Sequence, residues 1–98
     1  VAVEGFVQRL ENLKKEGNQA HQAKNSAKAL RFYQKAITLI EKSGYQRPRD
    51  LAILYNNKAA VYASMNDNQT ACRMAETSTG YDPSYYKVCG VLFRNFYF

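Results

Sequence analysis

The stretch LKKEGNQAHQAKNSAKALRFYQKA, from Leu13 to Ala36, decides the fold. Within it Gly17, Ala29, Tyr33 and Ala36 are spaced by 12, 4 and 3 residues. Further along, Ala59, Ala71, Ala75 and Ser78 repeat the same spacings of 12, 4 and 3, offset by 42 residues. A large residue stands four positions before each set, Leu13 before the first and Tyr55 before the second. Small residues flanked by large ones at helical intervals mark places where two helices touch. Recurrence at a fixed offset marks a repeat architecture.

Working outward, Phe6, Leu10, Leu13, Gly17 and Ala20 keep helical spacing and predict a first helix over about residues 2–23. Lys24-Asn25-Ser26 supplies a turn and an N-cap. Ala29, Leu30, Tyr33, Ile37 and Ile40 then share one face of a second helix, about 27–42. Ser43 to Asp50 reads as a loop rich in helix breakers. A third helix is expected over about 50–65, a turn at Asn66-Asp67-Asn68, and a fourth helix over about 68–79. Asp82-Pro83 pairs an N-cap with proline at the first helical position, which predicts a fifth helix over about 83–97. No sustained two-residue alternation and no Asn-Gly or Asp-Gly hairpin signal argues for strands.

Composition narrows the classes. The chain has 98 residues, 46% hydrophobic and 22% charged, the balance of an ordinary folded domain rather than a disordered segment. Its longest apolar run, Val88 to Phe93, is far shorter than the roughly 18 residues of a membrane span. No basic stretch followed by an apolar core opens the chain, so a signal peptide is not expected. Cys72 and Cys89, 17 residues apart, allow one disulfide but no disulfide framework, and are read as buried thiols of a reducing compartment, hence a cytoplasmic protein. The one histidine, His21, has no Cys-x-x-Cys or His-x-x-x-His set beside it, so no metal site and no cofactor is expected. No nucleophile–base pair or phosphate loop is present, which argues against an enzyme. Charge is lopsided: residues 1–50 carry ten Lys/Arg against five Asp/Glu, and residues 51–98 four against three. A basic half favours an acidic partner.

Together these residues resemble a tetratricopeptide repeat domain, a family built on 34-residue helix–turn–helix repeats. The resemblance runs from about Leu10 to Phe98. The 42-residue offset exceeds the family's period by eight, and the surplus falls in the Ser43–Asp50 loop, where added length costs little. Tyr81-Asp82-Pro83 is similar to the family's closing aspartate-proline, whereas the first unit has Glu41 near the corresponding place. The resemblance implies an all-α fold of antiparallel helix–turn–helix repeats stacked in a right-handed superhelix, an α-solenoid of about five helices. It implies one domain over 1–98, with repeats at about 10–43 and 51–82 and a final helix.

Within that family, Leu13-Lys14-Lys15-Glu16-Gly17-Asn18 resembles the opening of co-chaperone repeats that grip the acidic carboxyl end of a heat-shock chaperone of the 70- or 90-kDa class. The resemblance assigns the peptide-binding roles to Lys14 and Asn18 on the first helix, Asn57 on the third and Lys87 on the last. Val91 stands where the subfamily has an arginine. Arg94, seven residues after Lys87, lies on roughly the same stripe and is read as a partial substitute, the alternative being a solvated side chain and a weak clamp. These residue types suit the task. A terminal aspartate presents two carboxylates, lysine offers a compact cation, and asparagine donates without adding charge. The expected function is a co-chaperone or adaptor module that binds peptides.

A scaffold or assembly module with another protein partner is the competing reading. Phe93, Phe96, Tyr97 and Phe98 crowd the carboxyl end and offer a self-association surface, unless the chain is one piece of a longer array. Nucleic-acid binding is not expected, because Tyr33, Tyr55 and Tyr62 fall at repeat core positions.

Overall fold

The computed structural model describes residues 2–81. They form four helices and, among the described residues, no strand: α1 (Ala2–Gln22), α2 (Ser26–Ser43), α3 (Pro48–Ser64) and α4 (Asn68–Tyr81). The fold is all-α. The expected fifth helix, over about 83–97, lies outside the described residues. Two compact units divide between Gln46 and Arg47. The first holds α1 packed on α2, and the second holds α3 packed on α4. Each pair is joined by three residues, which forces an antiparallel return.

The two turns are built alike. Lys24 and Asn66 both adopt the left-handed conformation, at φ 63° and 64°. The amides of Lys24 and Asn25 donate back to the carbonyls of His21 and Ala20, at 3.0 and 2.8 Å. Those of Asn66 and Asp67 donate to Ala63 and Tyr62, at 3.0 and 2.9 Å. Both are Schellman closures, which satisfy the last carbonyls of a helix. The next helix then starts on an Asx cap. Asn25 Oδ1 accepts from the amide of Lys28 and Asp67 Oδ1 from that of Thr70, each at 3.2 Å. The 42-residue offset read from small residues is therefore matched by the backbone, turn for turn.

The helix bounds fall close to expectation, with one difference. α3 begins at Pro48, inside the segment read as loop. Proline lacks an N–H, and at the first helical position that N–H has no partner to lose. Asp50 follows in the first turn, where the helix dipole favours a carboxylate. It also receives Arg47 Nε at 2.6 Å. At the other end of the loop, Gly44 caps α2 at φ 77°, a conformation that favours glycine. Ser43 Oγ donates to the Ile40 carbonyl at 2.7 Å, and the Tyr45 ring returns to lie 4.9 Å from that of Phe6.

In the first unit Phe6, Leu10, Ala20, Ala29, Tyr33, Ala36, Ile37 and Ile40 are buried, so the apolar stripes read on α1 and α2 face inward. Leu13 and Leu30, read as core, are only half-buried. In the second unit α3 buries Leu51, Ala52, Leu54, Ala59, Val61 and Ala63, positions spread around the whole helix. α4 contributes Ala71, Ala75 and Ser78. Cys72 departs from the buried thiol expected of it: it is half-buried and disulfide-bonded. Cys89 lies outside the described residues. No described helix is long and apolar enough to cross a membrane.

Candidate functional site

The site begins with a glycine. A Cβ at Gly17 would stand 2.6 Å from Cε1 and 2.8 Å from Cδ1 of Tyr33. Only a residue without a side chain lets the Tyr33 ring come this close to α1. Tyr33 is 1% exposed, so its hydroxyl needs a partner within the protein. It finds one beside Gly17: the Tyr33 hydroxyl donates to Asn18 Oδ1 at 2.6 Å. Burial pushes the Tyr33 phenol above its usual pKa and keeps it a donor. The amide oxygen of Asn18 is thereby occupied. Its amide nitrogen keeps two N–H donors on an exposed side chain.

Lys14 lies one turn before Asn18 on the same face of α1, as the i,i+4 spacing requires. Its side chain is 17% exposed, and its ammonium stands 3.1 Å from Glu11 Oε1. Glu11 itself is 56% exposed, so this is a half-wet pair of modest strength. The α1 face therefore carries a cation already engaged by a carboxylate, next to an anchored amide donor. A carboxylate arriving there finds an exchangeable partner at Lys14 and a fixed one at Asn18.

Asn57 sits half-buried on α3, in the other unit. Its neighbour Lys58 is also half-buried and holds its ammonium 5.6 Å from the centroid of the Tyr55 ring. Desolvation lowers the Lys58 pKa. Tyr55 in turn stacks on Tyr81, with centroids 5.8 Å apart and planes 11° from parallel. Lys87, Arg94 and Val91 lie outside the described residues, as do Phe93, Phe96, Tyr97 and Phe98.

Two members of this arrangement escaped the sequence reading. The sequence places Tyr33 in the core but does not say where its buried hydroxyl finds a partner. Glu11, three residues before Lys14, was a readable pairing signal. Among the described residues no group of three or more His, Cys, Asp or Glu is placed to hold a metal ion.

No protein-family model matches the chain, and no solved structure matches it. One curated relative is the small glutamine-rich tetratricopeptide repeat-containing protein 2 of Saccharomyces cerevisiae, 32% identical over 77 residues. The match covers 79% of this chain and 20% of the relative, so the chain spans about a fifth of that protein's length. The similarity and the two like-built helix pairs together support a tetratricopeptide-like helical domain.

Proposed function

We propose that this chain is a non-catalytic interaction module of the co-chaperone type, whose α1 face takes the free acidic end of a chaperone tail. In this reading the helix pairs are two repeats, about 10–43 and 51–82, of one domain spanning 1–98. The observation that carries the reading is the hydrogen bond from the buried Tyr33 hydroxyl to Asn18 Oδ1. The bond that satisfies the buried phenol also fixes the exposed Asn18 side chain, whose amide nitrogen keeps two N–H donors for an anion. Lys14 supplies the positive charge beside it, and the ligand carboxylate replaces that of Glu11. Asn57 and Lys87 join the set by resemblance, and Arg94 as the partial substitute for the arginine that Val91 replaces. The yeast relative's name adds the repeat family and nothing of a ligand. A cytoplasmic setting goes with this role.

The test is titration of the 98-residue chain with a peptide ending Glu-Glu-Val-Asp beside its amidated form. The expected dissociation constant is micromolar, about −8 kcal/mol, with binding lost on amidation. Asn18→Ala removes a charge-assisted hydrogen bond worth about 1.5–3 kcal/mol, a loss of roughly ten- to a hundredfold. Tyr33→Phe keeps the ring and loosens only the anchor, so it weakens binding several-fold. Equal affinity for the amidated peptide refutes the reading.

A further inference from the structure

On the first unit α1 and α2 enclose a second feature, a cleft of about 650 Å³. Its floor is aliphatic, made by Leu13 from α1 and Leu39 from α2, both half-buried. These are two of the apolar residues that the core of the helix pair leaves half-buried. Its rim is basic: Arg9 stands on α1, and Arg31, Lys35 and Lys42 on α2, all exposed. No carboxylate lines the cleft. Among the described residues none of these four cations takes part in an ion pair. Lys35 holds its ammonium 5.3 Å from the centroid of the Phe32 ring. The three rim cations of α2 lie within eleven residue steps, about 16.5 Å along the helix axis at 1.5 Å per residue.

We infer that this cleft is a docking groove for an acidic amphipathic helix of a partner protein, about three turns long. Charge complementarity selects the occupant. Leucine-like side chains seat on Leu13 and Leu39, while flanking Glu or Asp residues meet the four cations. An apolar floor gives nothing to a phosphate backbone, and the lining holds no aromatic ring on which a base could stack. A flat lipid surface cannot reach the floor of a concave cleft. A helix laid in a groove satisfies floor and rim together. The inference stands apart from the tail-binding reading, because none of Lys14, Asn18 and Asn57 lines the cleft.

The experiment titrates the 98-residue chain with an alanine-based helical peptide carrying leucines three and four residues apart, flanked by glutamates. A second peptide has the same composition in scrambled order. Binding should perturb the methyl resonances of Leu13 and Leu39 and weaken as salt rises. The Arg31→Glu/Lys35→Glu double variant should lose at least about tenfold in affinity, since facing like charges repel. Lys42→Glu alone, at an exposed position, should lose less and still fold by circular dichroism. Asn18→Ala should leave this affinity unchanged, which separates it from the tail site. Equal binding of the scrambled peptide, absence of binding, or stronger binding of an oligothymidylate or of phosphatidylserine vesicles overturns the inference.

Discussion

The two helix pairs share one spacing of small residues and one turn geometry, yet they fill the contact between their helices differently. In the first, all the volume comes from one side: Gly17 on α1 gives way to the Tyr33 ring on α2. In the second, the corresponding positions are Ala59 and Ala75, both fully or nearly fully buried. There Ser78, in register with Ala36, donates its hydroxyl to the Ala52 carbonyl at 2.7 Å across the pair. Either device brings two helices close. Only the first leaves a polar atom at the edge of the contact, the Tyr33 hydroxyl, which reaches out of the core to Asn18. At the matching positions the first unit thus has a glycine and a tyrosine where the second has two alanines, and only the tyrosine brings a hydroxyl to Asn18.

That contrast predicts a large asymmetry in stability. Tyr33→Ala empties a buried aromatic site and should cost about 3–5 kcal/mol. Ala75→Gly, at the matching position, removes one methyl from a helix and should cost about 1 kcal/mol. Urea denaturation followed by circular dichroism measures both, and similar losses would show that the ring is not what holds the first pair together. A smaller effect of opposite sign to the usual one follows at Gly17. Glycine to alanine within a helix ordinarily stabilises by up to about 1 kcal/mol. Here the new methyl meets a ring that its neighbours hold in place, and overpacking should destabilise by about 1–3 kcal/mol. Gly17→Ala in a Tyr33→Leu background should recover much of that loss.

The sequence made the repeat legible because small residues, Asx caps and a closing turn are local signals that tertiary packing has little power to override. Lys24-Asn25 and Asn66-Asp67 sit at the same offset as Gly17 and Ala59, so the bounds of α2 and α4 could be read to within two residues. Pro48 misled because proline is ambiguous: it breaks a helix interior and favours a helix start, and the chain used the second property. The site was legible in part. Lys14 and Asn18 share a face by spacing alone, but the link from Asn18 to Tyr33 joins residues 15 apart on separate helices. No periodicity encodes it. The basic rim of the α1–α2 cleft was visible as a charge excess in the first half of the chain, but its aliphatic floor appears only once Leu13 and Leu39 are seen half-buried.

The smallest predicted effect sharpens the comparison at the turns. Lys24 and Asn66 hold the same left-handed backbone, at φ 63° and 64°, and neither is glycine. An ordinary side chain in that conformation costs roughly 1–2 kcal/mol, because its Cβ crowds the following carbonyl. Asparagine is more tolerant, since its short amide can bond locally. Replacement by glycine relieves the crowding but enlarges the freedom of the unfolded chain, which takes back about 0.4–1 kcal/mol. Both side chains are exposed, so little else is lost. Lys24→Gly should therefore stabilise by about 0.5–1 kcal/mol. Asn66→Gly should stay within about 0.5 kcal/mol of the parent chain, because it has less strain to relieve. Thermal denaturation of the two variants side by side reads the difference. Equal shifts would mean that the two turns, alike in their hydrogen bonds, are alike in strain as well, and that the first unit is set apart by its tyrosine alone.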